Sequence, residues 1–281
     1  MAGGSPRPPA VSGTFYEADP QRLRRQVQEC FQHPVGPGRL PRPWGTRPLR
    51  ALVVPHAALM YSGPVAAHAY LRLAEGPMPQ VTVIIGPDHY GLGSPVAAAT
   101  EARWLTPLGE VDTDHPAKAA LAARHVALDD RGLRHEHSVE VQLPFLQVLG
   151  YRGPVIPMVM AGQEPATALR LAEILAEVFA GQEAVMVAST DLSHYLSHEE
   201  AVAADRVVLD ALVSCDGRRL LDDVRRKQIT MCGVGPAAAV LEAGRRLGGT
   251  RVEVLRYATS GEVAGGRDRV VGYVAASLEV T

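Results

Sequence analysis

The chain has too few cysteines for a disulfide framework. Cys30, Cys215 and Cys232 are the only three in 281 residues, an odd number that suits free thiols in a reducing compartment. It also lacks an excess of either charge. Lys and Arg total 28 against 30 Asp and Glu, a formal net charge of −2, so no basic field points to nucleic acid. The basic pairs Arg24-Arg25, Arg225-Arg226 and Arg245-Arg246 are dispersed along helical patterns and read as solvent-facing. No run approaches the roughly 18–20 apolar residues of a membrane span, and MAGGSPRPP lacks the apolar core of a secretory signal. The expectation is a cytoplasmic protein that neither crosses a membrane nor binds nucleic acid. No internal repeat and no compositional break after residue 48 are present. One domain over 1–281 is expected, with 1–48 as an N-terminal helix and a proline-rich connector packed on it.

Alternating strand and helix signals are what the chain does contain. Asp19-Pro20 opens a helix pattern to about Phe31, with Asp as N-cap and Pro at the first helical position. Residues 1–12 and 33–48 read as irregular. Strands are expected at 50–54, 81–85, 95–99, 155–160, 184–188, 251–259 and 269–280, with Gly272 marking a bulge in the last. Helices are expected near 64–74, 115–124, 139–149, 164–180, 199–214, 217–227 and 235–247. Short β-branched runs between helices predict an α/β fold with a largely parallel central sheet buried on both faces. Ligands of such sheets bind beyond the carboxyl ends of the strands.

Polar residues collect at those ends. RALVV (50–54) runs into Pro55-His56, and VTVII (81–85) into Gly86-Pro87-Asp88-His89. Imidazole is the commonest transition-metal ligand at neutral pH, and His56 and His89 fall after two strands expected to be neighbours. Turn capping is the alternative for His56, and an Asx turn for Asp88. His135-Glu136-His137-Ser138-Val139-Glu140 is the densest ionisable patch. His137 and Glu140 either orient a ligand ring or, for Glu140, complement a helix dipole. AVMVAS (184–189) precedes Asp191 and His194, a pair suited to proton transfer, with Ser193 as a possible N-cap. A Ser/His/Asp hydrolase is a weak rival because no Gly-x-Ser-x-Gly elbow occurs. Cys232 stands before a helix pattern, where a helix N-terminus favours a thiolate; a buried small hydrophobe is the alternative. Cys30 and Cys215 read as structural thiols.

Taken together, GTFYEADP (13–20), PHA and YSG (55–63), GPDH (86–89), TPLGEVDTD (106–114), EHSVEVQLPFL (136–146), PVIPMVM (154–160), STDLSHY (189–195) and MCGVGP (231–236) resemble the MEMO family, which includes protein B of the AmmeMemoRadiSam system. The resemblance spans nearly the whole chain. It implies a three-layer α/β/α sandwich similar to class III extradiol dioxygenase catalytic subunits. It also implies metal ligands at His56, His89 and Cys232, with Asp191 and His194 bordering them; from the ionisable patch, His137 joins Asp191 and His194 as a catalytic candidate. Fe(II) is the implied metal, with Cu a physical competitor for imidazole and thiolate. The implied function is an iron-dependent oxidoreductase of dioxygenase type acting on a small molecule. The rivals are a non-catalytic metal- or peptide-binding protein that reuses the cleft, and a metal-dependent hydrolase. AMMECR-type and radical-SAM proteins are partners by family association. Two departures bear on substrate preference: Asp88 replaces a small or amide residue, adding charge beside the metal, and Ala58-Leu59 replaces a Gly-Tyr pair.

Overall fold

Asp19 caps the first helix as its sequence predicts, accepting hydrogen bonds from the backbone N–H groups of Gln21 and Arg22 with Pro20 behind it. The computed structural model describes residues 5–42, 44–113 and 115–280; residues 1–4 and Pro43 of the expected irregular stretches lie outside them. Helix α1 (Pro20–Gln32) is followed by β1 (Leu49–Val54), α2 (Leu59–Ala74), β2 (Val81–Pro87), β3 (Val96–Ala98) and a hairpin of β4 (Arg103–Thr106) and β5 (Gly109–Asp112). Next come α3 (Ala117–Ala122), β6 (Ala127–Leu128), a 3₁₀ turn (Glu140–Gln142) leading into α4 (Leu143–Val148), β7 (Val155–Met160), α5 (Pro165–Val178) and β8 (Ala184–Ser189). The chain closes through β9 (His194–Leu196), α6 (His198–Val213), α7 (Gly217–Lys227), α8 (Val234–Arg246), β10 (Arg251–Thr259), α9 (Ser260–Ala264) and β11 (Val270–Glu279).

The main sheet runs β10-β11-β1-β8-β2-β7-β3-β6. Its centre, β1-β8-β2-β7, is parallel; β11 joins β1 antiparallel and β3 joins β7 antiparallel. Alternation along each central strand serves two cores. Leu52, Val54, Ile84, Val185 and Val187 pack toward α1, α2 and α4. Val53, Ile85, Met186 and Ala188 pack toward α5, α7 and α8. Each fully buried aliphatic side chain contributes roughly 1.5–3 kcal/mol, so both faces of every central strand are specified, and the three-layer α/β/α sandwich follows.

Several local expectations are corrected. β1 and β2 are not neighbours, because β8 lies between them; all three carboxyl ends therefore converge on one edge. Helix α2 starts at Leu59 and carries Pro64 inside it, so the proline does not mark its first turn. Ser193 caps nothing: Ser197 caps α6 in a capping box with Glu200. Gly272 itself pairs regularly with Thr259; the register shifts lie between Val254 and Arg256 in the β10 pairing and, close to Gly272, between Val270 and Val271 in the β9 pairing. A Cβ at Gly272 would run into the Asp205 carboxylate. Glu140 does not serve a helix dipole. It is fully buried and accepts hydrogen bonds from Arg7 Nη1 at 2.6 Å, Ala10 N at 2.8 Å, Val11 N at 3.0 Å and the Tyr16 hydroxyl at 2.6 Å. One carboxylate thus fastens the N-terminal segment to the body. The hairpin β4-β5 and the short strands β6 and β9 went unread because two to four residues carry no periodicity to detect.

Candidate metal centre

Three parallel strands deliver the site. β1 ends at Val54 and places His56, β2 ends at Pro87 and places His89, and β8 between them ends at Ser189 and places Asp191. Cys232 arrives from the other side, two residues ahead of α8. One nitrogen from each of His56 and His89 and the sulfur of Cys232 lie within 4.8 Å of one another, close enough to hold one metal ion. His56 Nε2 is 3.2 Å from Cys232 Sγ.

The hydrogen bonds behind these side chains fix which atoms face the centre. His56 Nδ1 lies 3.0 Å from Ser189 Oγ. That hydroxyl already donates to Ser138 O at 2.6 Å and accepts from Gln142 Nε2 at 2.9 Å. It can therefore only accept from His56, which puts the ring proton on Nδ1 and leaves Nε2 with a free lone pair. His89 Nδ1 meets Glu136 Oε1 at 2.9 Å, and a carboxylate only accepts, so His89 also presents Nε2. Carboxylate or hydroxyl support behind a ligating imidazole is the usual requirement of a metal site. Cys232 Sγ accepts from Asp191 N at 3.1 Å. Two neutral nitrogen donors and one sulfur, pre-aimed at a common point, fit a transition metal.

Electrostatics set the protonation states. Burial pushes His56 well below the ordinary histidine value, reinforced by the charges of His137, His89 and His194. Burial also opposes the His89 cation, but the hydrogen bond and charge of Glu136 outweigh it, and its pKa is raised. Glu136 is itself buried, which disfavours its charge, yet His89, His137 and the Ser138 N–H hold it at about 2. Because that folded value is depressed, the stabilisation from Glu136 is present above the ordinary carboxylate range and is lost as pH falls toward 2. The helix N-terminus does not give Cys232 a low pKa. Burial, with the negative charge of Asp191, pushes the thiol up to about 12, so in metal-free protein it is protonated at neutral pH. Metal uptake at pH 7 must then expel that proton. Titration with a divalent metal in weak buffer is expected to release one more proton per chain in the native protein than in Cys232→Ala; equal release would place the sulfur outside the site.

The remaining predicted residues border the cluster. Asp191 is buried, and its Oδ1 accepts from His56 N at 2.8 Å; burial raises its pKa to about 6 against that hydrogen bond. His194 donates from Nδ1 to Thr230 O at 2.9 Å, which leaves its Nε2 free. His137 stacks on His89 with ring centroids 4.6 Å apart and stands edge-on to His56 at 5.3 Å. Burial lowers its pKa to about 4. Asp88 closes the turn, its carboxylate accepting from Gly91 N at 2.9 Å and Gly93 N at 2.7 Å, and its negative charge adds to the causes that raise the His89 pKa. Leu59 is buried in the core.

Glu136, Ser189 and Gln142 were missed. Glu136 lies in the ionisable patch, but its spacing there does not distinguish it from His137 and Glu140 as the orienting group. Gln142 donates to Pro55 O at 2.9 Å as well as to Ser189 and accepts from the Tyr70 hydroxyl at 2.8 Å; nothing in the sequence marks it. Glu136→Gln is expected to weaken metal binding by roughly 10–100-fold, as read by competition with a chelator. An unchanged constant would mean that His89 needs no orienting carboxylate.

The family model described as Memo-like protein matches residues 7–277. The chain belongs to the Memo family. A MEMO1 family protein of Methanopyrus kandleri is 44% identical over 275 residues, covering 96% of this chain and 97% of that protein. Those of Methanothermobacter thermautotrophicus and Sulfolobus acidocaldarius are 41% and 42% identical over 271 and 277 residues, covering 95% of this chain and 98% and 97% of theirs. Among the described residues of this Memo-family chain, no helix is long and apolar enough to cross a membrane.

Proposed function

We propose that His56, His89 and Cys232 form a mononuclear metal site serving an oxidoreductase of dioxygenase type, with Fe(II) the favoured metal and Cu the competitor. The observation that carries it is the pair of imidazoles, both tied at Nδ1 and both presenting Nε2 beside a thiol. Three protein donors leave coordination positions for a small molecule, and the metal, when bound, supplies redox and Lewis-acid chemistry there. The side chains around it supply the rest. Asp191, held by the His56 N–H and poised near pH 6, holds or releases a proton at its second oxygen. His194 offers Nε2 for the same purpose. His137 keeps a neutral ring against the cleft.

Asp191→Asn and His194→Gln are expected to retain a full equivalent of metal while losing oxygen consumption with a catechol panel. Loss of metal in Asp191→Asn would move that residue into the ligand set, and unchanged oxygen uptake would remove both from proton transfer. Oxygen uptake in anaerobically iron-loaded protein tests the reaction class itself.

A second reading is favoured by one surface feature. Met60, Tyr61, Tyr90, Leu92 and Tyr195 are all exposed and all follow within six residues of His56, His89 or His194. A contiguous apolar surface is what a bound peptide would need, so peptide binding without turnover, using these side chains, is the alternative. Metal binding without oxygen consumption on any phenolic substrate would favour it. AMMECR-type and radical-SAM proteins are the partners proposed by family association.

A further inference from the structure

The fourth parallel strand also sends a side chain to this edge. β7 ends at Met160, and the third residue beyond it is Gln163, a half-buried residue. Its amide spans the turn that carries the thiol. Nε2 donates to Cys232 O at 2.8 Å, and Oε1 accepts from Gly235 N at 2.9 Å. The other side of the turn is held by β8: Gly233 N donates to Thr190 Oγ1 at 2.9 Å, and that hydroxyl donates to Asp191 O at 2.8 Å. Backbone approach is close on both sides. A Cβ at Gly235 would stand 2.9 Å from Gln163 Cβ, and one at Gly233 would stand 2.6 Å from Ser189 O. The glycines of MCGVGP are therefore demanded by this close approach.

We propose that Gln163 is a positioning residue for the sulfur arm of the metal centre, holding the Cys232–Gly235 turn between β7 and β8 so that Sγ meets the two imidazole nitrogens. The inference rests on the metal-site reading above. Cys232 is the one donor of the three not borne by a sheet strand end, so its placement depends on what grips the turn. Both polar ends of the Gln163 amide bond backbone atoms of that turn, so the side chain spans it from Cys232 O to Gly235 N.

The test uses Co(II) as the probe in the full chain. Gln163→Met keeps length and volume and removes both hydrogen bonds; Gln163→Glu keeps the acceptor for Gly235 N but sets a carboxylate against Cys232 O. Both are expected to bind Co(II) roughly 10–100-fold more weakly and to show a diminished thiolate-to-cobalt charge-transfer absorption, with far-ultraviolet circular dichroism unchanged. Wild-type affinity and an undiminished band in Gln163→Met would overturn the proposal. Should Gln163→Met unfold, Gln163→Glu decides alone, and a wild-type spectrum there overturns it equally. Failure of the metal reading looks different: the unaltered protein would then show no thiolate-to-cobalt band, or Cys232→Ala would match its affinity.

Discussion

With His56 and His89 both replaced by alanine, bound transition metal is expected to fall from one equivalent per chain to none at micromolar concentrations. Each histidine reaches the centre from the end of a central parallel strand, and each has its far nitrogen committed, to Ser189 or to Glu136. Neither ring is free to turn away, so the donors are set before the ion arrives. Loss of a single orienting partner costs about 10–100-fold; loss of both nitrogen donors removes more, leaving one protonated thiol. The donor set also predicts selectivity: nitrogen and sulfur favour Fe(II), Cu and Zn over Mg and Ca. Metal analysis after anaerobic loading and desalting reads this directly. A full equivalent retained by the double variant would place the metal elsewhere.

The largest expected loss of stability lies away from the metal, at Glu140. Glu140→Ala is expected to cost about 3–5 kcal/mol, the range for removing one member of a buried ion pair, measured by urea unfolding. The carboxylate faces four donors from the N-terminal segment, and Arg7 and Glu140 are both almost fully buried. Removing it strands a guanidinium that also packs over the Trp104 ring. The same segment reaches the cleft, because Phe15 lies 4.6 Å from the His137 ring and its carbonyl accepts from Leu59 N. Loosening this anchor should therefore disturb the histidine cluster as well as the fold. A loss below about 1 kcal/mol, the value of an exposed pair, would show that the segment is not held by this contact.

How much of this could be read from the residues follows from physical scale. The parallel strands were legible because RALVV, VTVII and AVMVAS are buried on both faces and so are predominantly apolar rather than alternating. The residues after them were legible because polar side chains at such ends have few other uses. The order of the strands was not, since nothing local tells β1 that β8 will lie beside it. For the same reason Ser189 and Gln142 escaped notice: their roles exist only through contacts 47 to 133 residues apart. Glu140 was misjudged because a carboxylate near a helix start suggests a dipole partner, whereas its true partner, Arg7, lies 133 residues earlier. The state of Cys232 was misjudged too: position ahead of α8 suggested a low pKa, and burial decided otherwise.

X-ray absorption spectroscopy of the iron-loaded protein tests the central claim most directly. A site of His56, His89 and Cys232 predicts one sulfur scatterer at about 2.3 Å, the length of a thiolate–metal bond, with imidazole scattering from two rings, and loss of the sulfur shell alone in Cys232→Ser. A first shell of nitrogen and oxygen only, unchanged by Cys232→Ser, would contradict it.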